Sequence, residues 1–463
     1  VAEEALRILV AEETMVFSSL FFAFGFLPVT VVLYYLSGKS LRSIVLLAAS
    51  LFFYVWGEPV YVLLMCGSIM INYCIGILLG RDDAGRRKKR LFFIISLVFN
   101  LGCLAYFKYL GRLPIGISFY TFQTLSYVVD VYRGNIKPQK NPILFALYIA
   151  MFPQLVAGPI VKYADIESQL AGRSINFEQF SSGMRRFLHG LGKKVLLANQ
   201  IGLLWSEVKA MPGTEVSVFM AWTGMIAFAL QIYFDFSGYS DMAIGLGNMF
   251  GFRFKENFRY PYIAQSISEF WRRWHISLGS WFKEYVYIPL GGSRAGKLKL
   301  MRNLFIVWFL TGLWHGASWN FVLWGLYFGA LIGIEKLFLQ KSMTRWPKAA
   351  RHIYVLLLVV IGWVFFEFTD LTEGVNFLRI MFGMGDNGLI DNQAIVKLKA
   401  YAFIYMVCIL AASPWLKIRG LFFIRMDCNI YRLAANMYYC ALLFILAAYM
   451  VSSTYNPFIY FRF

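Results

Sequence analysis

FWRRWHISLGSWFKEYVYIPLGGSRAGKLKLMRNLFIVWFLTGLWHGASWNFVLW, residues 270–324, holds two of the four histidines of this 463-residue chain, both set among tryptophans. At helical spacing, Phe270, Trp271, Trp274, His275, Leu278, Trp281, Phe282 and Tyr285 fall on one face, with Arg272, Arg273, Ser280, Lys283 and Glu284 on the other. The spacing predicts one amphipathic helix over 270–285 that turns His275 inward. Tryptophan belts at a membrane interface account for the indoles but not for a histidine among them. His315 follows eleven uncharged residues, Leu304 to Trp314, between Gly312 and Gly316. An ionisable group at membrane depth is costly and marks a functional site. Trp314, Ser318, Trp319 and Asn320 cluster with it in sequence, and the glycines are expected to let backbone or substrate come close.

The composition sets the class. Hydrophobic residues make up 59% of the chain and charged residues 15%, which is not a soluble balance. Several apolar runs are long enough to cross a hydrocarbon core of about 30 Å. The expected fold is therefore an all-α polytopic membrane protein with ten to twelve transmembrane helices, plus re-entrant and interfacial ones. The net charge of +19 comes from 44 Lys and Arg against 25 Asp and Glu. These cations sit in short loops between apolar runs, where they face anionic lipid headgroups, so no nucleic-acid partner is expected. Six cysteines without a C-x-x-C pair suggest neither a disulfide framework nor a zinc site.

Along the chain, residues 1–14 carry four glutamates and the composition changes abruptly at Met15. A leader or appended segment over 1–14 and one membrane domain over 15–463 are expected. Apolar spans are predicted near 16–35, 41–55, 60–79, 91–109, 143–156, 219–234, 304–313, 319–339, 354–368, 401–415 and 437–451. Residues 113–134 read as a shorter or re-entrant helix, and 160–199 as an interfacial one carrying His189. His352 lies at the edge of a basic loop, where a solvated surface position is the simpler reading. The loop RDDAGRRKKR, 81–90, has six basic and two acidic residues, which predicts a cytoplasmic location. Met15 is then extracytoplasmic.

Gln231, Asp235 and Tyr239 recur at spacings of four, with Asp241 just beyond, and read as a tunnel or scaffold wall. A buried carboxylate needs a partner, for which Arg259, Arg272 or Arg273 is expected. A histidine can take a proton at neutral pH. No G-x-S-x-G elbow and no ligand cluster for a metal occurs, which favours direct attack of a hydroxyl on an activated acyl donor. GGSRAGK, 291–297, matches part of a phosphate-binding loop, yet Leu298 stands where a Ser or Thr would hold magnesium. A basic turn is the better reading.

WHG at 314–316, RRWHISL at 272–278, VYIPLGG at 286–292 and PQLVAGPIVKYADI at 153–166 resemble the membrane-bound O-acyltransferase family, in its bacterial alginate O-acetylation branch. PIGISFYTFQTLSYVVDVYRG (114–134), QIYFDFSGYSDMAIGLG (231–247) and NPFIYFRF (456–463) fit the same branch. The resemblance implies a multi-helix bacterial plasma-membrane fold around a central funnel. It implies acyl transfer from a cytoplasmic donor, acetyl-CoA, to an extracytoplasmic polysaccharide or a partner acetyltransferase, with no bound cofactor. It carries the catalytic role over to His315 and a tunnel position to His275, with Trp271, Trp274, Arg272 and Arg273 beside it. Related D-alanyl transferases of teichoic acids share both histidines; the PLGG turn and the AGPIV motif resemble the acetyl branch more closely. A non-catalytic transporter is the alternative of a different class, and the internal repeats common in transporters are not seen.

Overall fold

Backbone polar groups in a lipid core must be satisfied within the segment, and helix is the only regular structure among the described residues. The computed structural model describes residues 15–83, 85–156, 158–293, 296–385, 387–415 and 429–452. The expected leader over 1–14 and the terminal NPFIYFRF lie outside them.

Two compact units divide these residues. The first holds the chain up to Leu191 together with Tyr239–Lys255 and Met450–Ser452. It contains helices α1 (Phe22–Leu36), α2 (Arg42–Gly57), α3 (Tyr61–Leu79), α4 (Arg86–Tyr109), α5 (Ile117–Arg133), α6 (Pro142–Ala150), α7 (Phe152–Leu155), α8 (Tyr163–Gly172) and nearly all of α9 (Phe177–Gly192). The second, Gly192–Gly238 with Glu256–Tyr449, contains α10 (Asn199–Ala210), most of α11 (Val218–Met249), α12 (Ile267–Arg273), α13 (Ile276–Phe282), α14 (Lys297–His315), α15 (Trp319–Ile334), α16 (Lys348–Glu367), α17 (Leu371–Met381), α18 (Asn392–Ala411) and most of α19 (Asn429–Ser452).

Seven helices among the described residues are long and apolar enough to cross a membrane: α3, α4, α11, α15 continued to Met343, α16, α18 and the Leu433–Ser452 part of α19. Two shorter apolar helices, α1 and α2, join them. The expected multi-pass all-α class is thus present. The predicted span at 143–156 is not one helix. Met151 leaves helical geometry (ψ 113°), and α6 is nine residues, about 14 Å, too short to cross. Pro153 also starts the next short helix. The region read as re-entrant, 113–134, is α5, a helix buried along most of its length. It starts at Gly116, whose φ of 77° and proximity to the Leu155 carbonyl, 2.5 Å from where a Cβ would stand, admit only glycine.

In the second unit α14 and α15 form a tight hairpin. A Cβ on Gly312 would lie 2.5 Å from the Phe321 carbonyl oxygen, and one on Gly316 would strike the Phe321 ring. Of the two alternatives expected of the glycines flanking His315, it is the backbone of the neighbouring helix, with the Phe321 ring, that comes close. The GGSRAGK turn begins after a π-helical segment, not a strand, and Asn303 Nδ2 ties it down by donating to the carbonyls of Leu290 and Gly292.

Between α3 and α4 the only available water substitute is another side chain. Asn72 and Asn100, both buried, exchange amide hydrogen bonds: Asn100 Nδ2 donates to Asn72 Oδ1 at 2.8 Å and Asn72 Nδ2 to Asn100 Oδ1 at 3.2 Å. Ser96 Oγ donates to the same Asn72 oxygen at 2.7 Å. Such pairs hold membrane helices with about 1 kcal/mol each. Asn100→Ala is expected to destabilise the protein by about 1–2 kcal/mol in a detergent thermal-unfolding assay. Leu101→Ala, on the exposed face of α4, is the control; an equal effect of both would show that the amide pair does not hold the helices.

Candidate active site

All groups of the site belong to the second unit. Its first half is built on α12. Ser266 and Glu269 form a capping box: Ser266 Oγ accepts from Glu269 N–H at 3.0 Å and Glu269 Oε2 from Gln265 N–H at 2.9 Å. A second carboxylate, the buried Glu335, accepts from the backbone N–H groups of Ile267 (2.6 Å) and Ser268 (2.9 Å), and so fixes the positive end of α12 against the continuation of α15.

The single helix expected over 270–285 does not form. α12 ends at Arg273, Trp274 is extended, and His275 adopts the left-handed region with φ 43° and ψ 55° before α13 starts. A non-glycine residue there costs on the order of 1–3 kcal/mol, so the surroundings must hold it. Asn257 does so. Its backbone carbonyl accepts from Ile276 N–H at 2.9 Å, and its Oδ1 accepts from Ser277 N–H (3.1 Å) and Ser277 Oγ (2.8 Å) and lies 3.2 Å from His275 Nδ1. Because that oxygen only accepts, Nδ1 carries the ring proton and Nε2 is the basic nitrogen.

The second half is the C-terminal end of α14. His315 Nδ1 lies 2.7 Å from the Thr311 carbonyl oxygen one turn earlier, which again assigns the proton to Nδ1 and the lone pair to Nε2. Both imidazoles are buried, His275 at 3% exposure and His315 at 6%. The Trp314 indole links them: its centroid is 6.1 Å from the His275 ring and 4.8 Å from the His315 ring. Phe236 meets His275 edge-on at 4.7 Å, and Trp324 and Phe366 flank His315 at 4.7 and 5.6 Å. His275 sits in the joint between two seven-residue helices, outside the candidate spans. Burial, and after it the repulsion a second proton would meet from the neighbouring His315 ring, holds its imidazole well below its ordinary value, so it is neutral at neutral pH.

The remaining candidates divide. Trp271 and Trp274 pack into an aromatic block with Trp308, Trp324, Phe328 and Trp363; Trp271 lies 4.9 Å from Trp308 and Trp274 4.9 Å from Trp363. Arg272 is exposed. Arg273 pairs with Glu269 at 2.8 Å and donates to the Arg259 backbone carbonyl, and Arg259 itself is exposed whereas Asp235 is buried. Asp235 instead pairs with Lys194 at 2.6 Å, the side chains 4% and 1% exposed. Lys194 comes from the π-helical segment Lys193–Ala198, read in the sequence as interfacial. Gln231 lies one turn away on α11 and packs where Gly202 has no side chain. Tyr239 and Asp241 belong to the first unit, Tyr239 stacked on Phe17 and Asp241 paired with Arg186 at 2.8 Å. Trp319 is 71% exposed, so it does not line the site. Ser318 Oγ and Asn320 Nδ2 donate to the carbonyls of Thr369 and Phe365 and fasten α15 to the end of α16.

Asn257, Lys194 and Glu335 escaped the sequence reading. Each acts on a distant segment, and none has a local motif except the Ser266–Glu269 box, which signals where α12 starts. Among the described residues no group of His, Cys, Asp and Glu could hold a metal ion.

The model of the membrane-bound O-acyltransferase family matches residues 136–373, which include the whole site. The chain is 42% identical over 394 residues to the Pseudomonas aeruginosa protein named "Probable alginate O-acetylase AlgI", covering 80% of this chain and 75% of that one. It is 33% identical over 424 residues to the peptidoglycan O-acetyltransferase of Helicobacter pylori, covering 80% of each. To the teichoic acid D-alanyltransferase of Bacillus subtilis it is 25% identical over 258 residues, 53% of this chain and 65% of that one. A multi-pass helical chain with two buried imidazoles on either side of one indole, matched across those residues and along four fifths of its length, belongs to the membrane-bound O-acyltransferase family.

Proposed function

We propose that this chain moves an acetyl group from acetyl-CoA on the cytoplasmic face of a bacterial plasma membrane to hydroxyls of an extracytoplasmic or exported polysaccharide, directly or through a partner acetyltransferase. Two relatives named for O-acetyl transfer, aligned over four fifths of the chain, support acetyl. The relative named for D-alanyl transfer aligns over about half of it.

The observation that supports the mechanism is the Nδ1–H of His315 held on the Thr311 carbonyl, which leaves the lone pair on Nε2. In this reading the acceptor hydroxyl gives its proton to Nε2 as its oxygen forms the new C–O bond at the thioester carbonyl. Collapse breaks the C–S bond, and the imidazolium returns the proton to the leaving thiolate. The base lies inside an apolar aromatic wall of Trp314, Trp324 and Phe366, which keeps bulk water away from the transfer. His275, set by Asn257, orients donor or acceptor across Trp314.

With reconstituted protein, labelled acetyl-CoA and a saccharide acceptor, His315→Ala is expected to lower kcat by about a hundredfold to ten-thousandfold with unchanged expression and thermal stability. Turnover within twofold of the parent would remove His315 as the base. Asn257→Ala is expected to lower kcat by roughly ten- to a hundredfold at all pH values, because it frees the His275 ring. Asn257→Asp keeps the acceptor oxygen but adds a negative charge beside Nδ1–H, which favours the imidazolium and raises the His275 pKa. The acid limb of its kcat/KM profile should therefore shift to higher pH, and a profile coincident with the parent's would exclude a role for neutral His275.

A further inference from the structure

The first unit carries a groove of about 210 Å³ between α2, α3 and α6, lined by Leu47, Leu51, Cys66, Met70, Tyr73 and Ala146 among others. Its wall is wholly apolar, because the one hydroxyl at hand turns away: Tyr73 OH donates to the Lys140 carbonyl at 2.6 Å. The groove opens on a face that carries exposed apolar side chains, Met70 at 65% and Leu63 at 73%. In a bilayer, hydrocarbon must fill it, since water finds no partner there.

One end of the groove is basic. Leu47 stands near the start of α2, Tyr73 near the end of α3 and Pro142 at the start of α6, so these three helix ends lie together. The chain just beyond them supplies Lys39, Arg42, Arg81, Lys137 and Lys140, against Asp82 and Asp83, and the next helix opens with Arg86, Arg87, Lys88, Lys89 and Arg90. Lys137 and Lys140 are exposed. Pro138, packed where Gly80 has no side chain, holds this lysine segment to the end of α3. An apolar slot about two helical turns deep, from Tyr73 to Cys66, ending in a row of cations, fits an amphiphile with hydrocarbon chains and an anionic head.

We propose that this groove is a site for an anionic phospholipid, with one acyl chain between α2, α3 and α6 and the phosphate at Lys137 and Lys140. The lipid closes the gap between three helices and fills volume that no side chain occupies. Its binding is independent of acyl transfer and of the two histidines.

The test is native mass spectrometry and thermal unfolding of the delipidated full-length protein in detergent. The probes are phosphatidylglycerol and phosphatidylcholine with identical chains. Phosphatidylglycerol is expected to remain bound and to raise the unfolding temperature above that in phosphatidylcholine. The exposed double substitution Lys137→Ala/Lys140→Ala, which leaves the fold untouched, should reduce retention of phosphatidylglycerol by about tenfold to thirtyfold. Ala146→Phe, which fills the slot, should abolish retention of the first lipid equivalent while leaving the protein's unfolding temperature in phosphatidylcholine unchanged or higher. Equal retention of the two lipids, or phosphatidylglycerol retention unaffected by the lysine substitutions, would overturn the proposal. So would a dimer that Ala146→Phe splits without changing lipid retention, since the groove would then belong to a second copy.

Discussion

One amide oxygen, Asn257 Oδ1, holds the turn on which the site depends. It gathers three donors from the segment His275–Ser277 and keeps a histidine in a backbone conformation that costs on the order of 1–3 kcal/mol. Without that break, α12 and α13 would continue as one amphipathic helix, with His275 one turn past Trp271 on its apolar face. With it, the helix direction changes at Trp274, and the ring of His275 reaches the indole that contacts His315. The strain sits at one of the two histidines of the proposed site, and the capping of α12 by Ser266 and Glu335 anchors the segment that bears it.

Around this turn the unit is apolar, and three buried carboxylates among its described residues, Asp235, Glu335 and Glu367, each have a partner. Lys194 meets Asp235. Glu335 sits on backbone N–H groups at a helix start. The buried Glu367 accepts from Trp205 Nε1 at 3.0 Å and from Lys209 at 2.7 Å. A lone charge at such depth costs several kcal/mol, whereas a paired one leaves little net field. None of these three carboxylates is spent on a histidine: each is held by a lysine, an indole or backbone N–H groups, and burial keeps the His275 imidazole below its ordinary value. The aromatic wall, Trp314, Trp324, Phe236 and Phe366, adds no titratable group of its own.

The sequence carried the class, most helices and both histidines, because these depend on local terms: apolar length, charge in loops and an ionisable residue inside an uncharged run. It failed where the decisive contact is remote. The αL turn at His275 follows from Asn257, eighteen residues earlier, and helical periodicity runs through the break without a signal. Asp235 had three arginines nearer in sequence to the histidine motif, yet its partner is a lysine on another element, in a segment whose basic and apolar residues alternate as an interfacial helix would. Trp319 shares the WHG neighbourhood, but the turn after Gly316 starts α15 with its first residue outward. Gly312 and Gly316 signalled a close approach without saying of what, and it is the α15 residue Phe321 that takes the space.

The two histidines are supported in unlike ways, and the difference bears on their roles. His315 hangs from a carbonyl of its own helix, so its ring orientation is set within one turn of α14 and tolerates change elsewhere. His275 depends on a side chain from a separate loop, on a strained backbone and on the capping of α12, so its position follows the packing of several elements. A proton acceptor must present the same lone pair at every turnover, and the self-contained support of His315 suits that task. A group that positions a substrate gains from being coupled to its surroundings, because a shift of the loop bearing Asn257 moves the ring without altering the base. In the proposed reaction, burial of both rings behind indole and phenyl faces would keep water from competing with the acceptor hydroxyl, so the packing that builds the core would also select which oxygen is deprotonated.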